Sequence, residues 1–177
     1  MGYKLLRLIH FWWCANFNFN RTKVGDNPHI GRGTNLFFPD FGFIGNNFYL
    51  GRYCSVEVNV KISDNVIIGN YCALVGRNDH KYDVPGVYMR HENNAREFSP
   101  KYDRKKEFIQ IEKDVWIGHG TIVLSNVKIS KGCVIAAGSI LTKSTEPYGI
   151  YAGVPAKRIK NRFTREEIII HENKLYN

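Results

Sequence analysis

The chain has 177 residues, 44% of them hydrophobic, and a formal net charge of +9. That length and apolar content suit one domain with appendages and exclude a chain too polar to build a core. The charge favours anionic partners, either cofactor phosphates or an anionic membrane face. Nucleic acid is set aside, because no basic helix, binding motif or aromatic platform accompanies the charge.

Residues 1–20 read as an N-terminal amphipathic cap segment. The opening MGYKLLRLIHFWWCANF looks superficially like a signal peptide, but its apolar run is broken by Arg7 and His10 and no small-residue cleavage site follows. It is also too short to span a bilayer. The chain is therefore read as cytoplasmic. The segment is expected to cap the structure that follows, with Leu5, Ile9 and Trp12 on one face. A sharper reading is peripheral contact with the inner membrane face through residues 1–17, using Trp12, Trp13, Lys4 and Arg7.

A six-residue beat then occupies most of residues 21–160. Branched apolar side chains stand at Val24, Ile30, Leu36, Ile44, Leu50, Val56, Ile62, Ile68 and Leu74, and again at Ile111, Ile117, Val123, Ile129, Ile135 and Leu141. Period six fits neither a helix nor an extended strand over this length. It fits a solenoid of short strands and tight corners, with three hexads to a coil and coils about 4.8 Å apart. Each inward Ile, Val or Leu then contributes roughly 1.5–3 kcal/mol. The spacing of eight between Leu36 and Ile44 predicts a two-residue insertion near Pro39–Gly42. A second small slot, four places after each aliphatic, holds Cys54, Cys72 and Cys133. No CxxC pair occurs, so these cysteines read as core filler rather than metal ligands or a disulfide.

Between Leu74 and Ile111 the beat vanishes. An excursion of about thirty residues, 77–108, is rich in Asp, Asn, Arg, Tyr and His, and a repeat protein that breaks its period in this way usually does so for function. It opens Arg77-Asn78-Asp79-His80. The His80 imidazole suits proton transfer near neutral pH, although a surface histidine is an equal reading of these residues alone. Past Asn161 the composition changes, and 161–177 reads as a C-terminal helix opened by a capping box, Thr164-Arg165-Glu166-Glu167. Its Ile168, Ile169 and Leu175 are expected to pack on the solenoid or on a neighbouring subunit.

Asp114-Val115-Trp116-Ile117-Gly118, Ile135-Ala136-Ala137-Gly138-Ser139, Thr142-Lys143 and Ala152-Gly153-Val154-Pro155-Ala156-Lys157 stand together at fixed spacing. With them, residues 24–160 resemble the hexapeptide-repeat acyltransferases, closest to the sugar and polysaccharide O-acetyltransferases. The resemblance implies a left-handed parallel β-helix, a homotrimer with active sites between subunits, and acetyl-CoA as co-substrate with no metal. It implies that His80 is the general base. Trp116, His119, Ala137, Thr142, Lys143, Lys157 and Lys160 would bind the donor. In the excursion, Asn78, Asp79, Tyr82 and Tyr88 are expected to meet a sugar or glycan acceptor, as in O-antigen or capsule building. The group orienting His80 is left among Glu57, Asn59, Asp64 and a loop carbonyl.

Other acceptors stay open: a nucleotide-linked amino sugar, giving N-acetylation, or a streptogramin-type antibiotic. The second is weakened by a stretch before His80 about one hexad shorter than in those enzymes, and by Asp79-His80 in place of their Asn-His. A γ-carbonic-anhydrase-like metalloenzyme is a weaker alternative. Ile117-Gly118-His119-Gly120 faintly resembles its glycine-histidine motif, but position 124 is Leu where a companion His is expected. A purely structural solenoid would need neither the Trp116 motif nor the excursion.

Overall fold

The computed structural model describes residues 2–14, 21–77, 80, 82–83, 85–90 and 107–176. Helix α1 (Gly2–Cys14) precedes the first coil, built from β1 (Thr22–Val24), β2 (His29–Ile30) and β3 (Asn35–Leu36). The second coil comprises β4 (Gly42–Ile44), β5 (Tyr49–Leu50) and β6 (Ser55–Val56), and the third β7 (Asn59–Ile62), β8 (Ile67–Ile68) and β9 (Ala73–Val75). After the excursion come β10 (Phe108–Ile111), β11 (Trp116–Ile117) and β12 (Ile122–Leu124), then β13 (Lys128–Ile129), β14 (Val134–Ile135) and β15 (Ile140–Leu141). The chain ends with β16 (Gly149–Gly153), β17 (Ala156–Asn161) and α2 (Arg165–Tyr176).

Three parallel sheets form the walls. The first stacks β1-β4-β7-β10-β13, the second β2-β5-β8-β11-β14-β16, and the third β3-β6-β9-β12-β15. This is a solenoid of about six turns, as expected of a left-handed β-helix. The register explains the beat. Leu50 pairs with Ile68 and Ile117 with Ile135, one full coil apart. Every aliphatic beat residue from Ile30 to Leu141 is at most 5% exposed, as are the small-slot residues Cys54, Val60, Val66, Cys72, Val115, Thr121, Val127, Cys133, Ser139 and Thr145. Cys54, Cys72 and Cys133 are free thiols that donate to the carbonyls of Gly69, Gly118 and Glu146 at 3.0–3.1 Å. Burial pushes the Cys133 thiol up.

The predicted insertion is present. Polar partners between the first two coils are 20 residues apart, whereas those between the next two are 18 apart. The same bonds form a ladder at the corner between the first and second sheets: Asn27 donates to Asn47, and Asn47 to Asn65, each at 3.1 Å. All three asparagines sit at positive φ, which their short amide side chains tolerate.

Both ends depart from expectation. Helix α1 does pack on the first coil, but among its described side chains the buried anchor is Phe11, fully enclosed, while Leu5 and Ile9 are more than half exposed and the Trp12 side chain lies outside the described residues. Arg7 and His10 turn that face inward by donating to Asn27 (2.5 Å) and to the Ile30 carbonyl (3.0 Å). Asn161 belongs to β17 rather than to the last helix, and β16 and β17 form an antiparallel hairpin instead of a further coil. The capping box of α2 is reciprocal: Thr164 N–H donates to Glu167 at 2.8 Å, and Glu167 N–H to Thr164 Oγ1 at 3.2 Å. Helix α2 is held by polar contacts, with Ile169 and Leu175 exposed and Ile168 half-buried.

Candidate active site

At the corner between the third sheet and the next coil, the chain leaves the stack after β9 and returns at β10. Glu107, 5% exposed, stands at the point of return. Its Oε1 accepts the Ser125 hydroxyl at 2.5 Å and the Arg77 backbone N–H at 2.9 Å. The Arg77 side chain adds bonds from Nε to the Ser125 carbonyl (2.7 Å) and from Nη2 to the Thr142 carbonyl. Three residues beyond this clamp, His80 is exposed, and Tyr82 and Tyr88 are about four-fifths exposed. Asn78 and Asp79 lie outside the described residues.

Of the candidates for orienting His80, Glu57 and Asn59 stand at the corner from which the excursion departs, and Asp64 stands at another. Asn59 is fully buried, and its amide oxygen accepts from the Asp40 and Phe41 N–H groups while its NH2 reaches the Glu107 carbonyl at 3.3 Å. Glu57 accepts the Ser55 hydroxyl. Asp64 accepts from Asn46 N–H at 2.6 Å, at the corner between the first and second sheets, away from the excursion.

A second group forms on another flank. Trp116, on β11 in the second sheet, is 54% exposed and is stacked between Ile67 and Val134. Its face opens on a depression lined also by Asp114 and Arg162. His119 and Ala137 are successive steps of the corner between the second and third sheets, joined by the Gly138 N–H donating to the His119 carbonyl at 2.8 Å. A Cβ on Gly118 would lie 2.5 Å from Ala137 N, so the coils approach this closely only with glycine there. The His119 ring rests on Tyr71, which stacks on Tyr53, each pair 5.3 Å apart. Lys157 and Lys160 are exposed on β17, the last strand along the same sheet as Trp116.

The structure thus brings His119 and Ala137 together, with Trp116 on the adjoining strand β11 facing a separate depression beside Asp114 and Arg162. Thr142, with Lys143 exposed beside it, goes instead with the root of the His80 excursion. The two groups occupy opposite edges of the third sheet. Sequence reasoning missed Glu107, Ser125 and Arg162. It also missed the docking of α2, in which Asp114 accepts Arg162 Nη1 at 2.8 Å and His171 Nε2 at 3.0 Å. The Glu107 signal was its position: an acidic residue directly before the beat resumes. Among the described residues no cluster of three His, Cys, Asp or Glu side chains is placed to hold a metal.

Residues 108–143 match the family described as bacterial transferase hexapeptide (six repeats). A probable macrolide acetyltransferase of Lysinibacillus sphaericus is 34% identical over 72% of this chain and 67% of its own length. The chain belongs to the hexapeptide-repeat transferase family. A chloramphenicol acetyltransferase of Klebsiella aerogenes is 40% identical over 59% of this hexapeptide-repeat chain. The chain spans 55% of that relative's length. Among solved structures, a galactoside acetyltransferase in complex with coenzyme A superposes with a TM-score of 0.58 at 26% identity, over 82% of this chain and 67% of that one.

Proposed function

We propose that this chain is an acetyl-CoA-dependent O-acetyltransferase acting on a sugar hydroxyl, as needed to build O-antigen or capsule. The observation that carries the reading is the exposed His80 at the start of an excursion whose two roots are tied together. His80 takes the proton of the acceptor hydroxyl as its oxygen attacks the thioester carbonyl. The tetrahedral intermediate collapses, the C–S bond breaks, and the CoA thiolate leaves with the proton returned by the imidazolium. No acyl-enzyme is needed, consistent with the burial of Cys54, Cys72 and Cys133.

Trp116, His119 and Ala137 receive the donor arm, Thr142 and Lys143 continue that wall across the third sheet, and Lys157 and Lys160 meet the nucleotide phosphates. The relative solved with coenzyme A supports this donor. The separation of the His80 and Trp116 groups supports a homotrimer in which one subunit's excursion meets the next subunit's donor flank. A second reading, an antibiotic acceptor, is favoured by the chloramphenicol and macrolide acetyltransferase relatives. We also place the protein in the cytoplasm, with α1 against the inner membrane face. Leu5, Leu6, Ile9 and Trp13 are exposed, and the chain's charge of +9 complements anionic lipid. No described helix is long and apolar enough to cross a membrane. Absence of flotation with anionic liposomes removes the membrane contact.

The test of function is CoA release from acetyl-CoA with a panel of sugars, sugar nucleotides, chloramphenicol, a macrolide and a streptogramin. Turnover with sugars alone supports the first reading, and turnover with the antibiotics alone supports the second. Turnover unchanged in His80→Ala removes His80 from the mechanism.

A further inference from the structure

The excursion could in principle hang from the solenoid as a loose loop, since both its ends leave a regular stack. The geometry instead ties them. Glu107 is the last residue before β10, and its carboxylate reaches back to the N–H of Arg77, the residue from which the excursion departs. The same oxygen holds the hydroxyl of Ser125, which is wholly buried one coil further on. Ser125 is itself fixed by its N–H bond to the Val75 carbonyl at 2.8 Å, the last residue of β9. Below, the buried Asn59 amide holds the Glu107 carbonyl. Arg77 completes the closure by spanning the carbonyls of Ser125 and Thr142.

A buried carboxylate is expensive to keep unless its lone pairs are filled. Carboxylates also close other solenoid corners, Asp64 accepting the Asn46 N–H and Glu112 the Lys131 N–H, but those two are only half-buried, and Glu107 is the one buried carboxylate among the described residues. The charge at this one corner is coupled to the one place where the chain departs. We infer that Glu107 is the positioning residue of the site: by locking departure and return points to one rigid coil, it fixes where His80 projects. This rests on His80 being the base, and it adds a residue that touches neither donor nor acceptor. A glutamine at 107 keeps the shape and can place its amide oxygen where Oε1 stands, but it loses the negative charge that strengthens both bonds, so the two-donor clamp weakens. Removing Ser125's hydroxyl takes away one bond and leaves the Arg77 tie.

The test compares wild type, Glu107→Gln and Ser125→Ala by the His80 ring resonance, assigned with His80→Ala, and by amide hydrogen exchange. In Glu107→Gln we expect the His80 signal to shift or broaden and the Arg77 amide to lose protection, while amides in β11 and β14 keep theirs. Ser125→Ala should show the same changes to a smaller extent. With an acceptor in hand, kcat should fall about 10-fold to 10²-fold while KM for acetyl-CoA stays within about twofold, the signature of a misplaced base. An unchanged His80 resonance, or a loosened Arg77 amide with unchanged kcat, overturns the inference. If wild type transfers to nothing in the panel, the functional reading fails. The ring resonance then still decides whether Glu107 positions His80.

Discussion

The two edges of the third sheet obey different rules. The edge bearing His119 and Ala137 keeps its register straight through the excursion: Tyr71 N–H bonds to the coil below, and Gly120 N–H to Asn70, as if nothing had been inserted. The other edge opens after Val75, admits the excursion, and is closed by one buried carboxylate. A stacked coil therefore tolerates a long insertion at a corner without disturbing its neighbours, because each coil is held by the coils above and below rather than by its own ends. Repetition supplies the scaffold and the flank on which we propose the donor lies, and the break in repetition carries His80, the proposed base.

If the stack is the scaffold, cutting into it should have the largest effect. Leu74→Ala, at a fully buried position beneath the excursion, should destabilise by about 2–5 kcal/mol in denaturant titration. His80→Ala should leave the melting temperature unchanged and lower kcat by about 10²-fold or more; a stability loss instead would place His80 in the scaffold. Gly132→Ala tests corner geometry away from the excursion. At φ +69° its new Cβ would fall 2.2 Å from the Tyr148 ring, so a loss of at least about 1–2 kcal/mol is expected in the melting curve. Thr164→Ala removes half of the α2 capping box and should cost about 1 kcal/mol, with no effect on transfer.

The smallest effect is electrostatic. Burial works to raise the Glu112 carboxyl, but the Lys128 ammonium and the Lys131 N–H outweigh it and hold the carboxyl below its ordinary value. A depressed folded pKa gives stability that is present at neutral pH and lost as pH falls through that lowered value. Between about pH 5 and pH 3, melting temperature should therefore fall less steeply in Glu112→Gln than in wild type.

The coil core was legible because its rule is local: Ile117 and Ile135 face inward for the same reason, six positions at a time. The insertion near Pro39 and the capping box at Thr164 were legible likewise, one from phase and the other from a four-residue pattern. Phe11 was not, because period alone cannot say which face of a short helix meets a solenoid end. Leu5 and Ile9 were as apolar and turned outward, since Arg7 and His10 found acceptors on the first coil. Glu107 was hidden for a different reason. Its partners Arg77 and Ser125 lie 30 and 18 residues away and belong to no repeat slot. His80 stood out by its position after the break, whereas the bonds that tie the roots of its excursion exist only in the closed coil.

The final hairpin has a consequence for the lifetime of the folded protein in a crowded cell. A stack of parallel coils ends in a bare row of N–H and C=O groups, which invites a further strand from any passing chain. In the second sheet β17 covers that row from the opposite direction, with a register shift beside Tyr151, so no coil of the same kind can follow it. Its outer side carries Lys157, Arg158 and Lys160, all exposed. Like charge along this rim should repel a second stack arriving end-on, and neutralising it should convert a soluble particle into a seed for fibres.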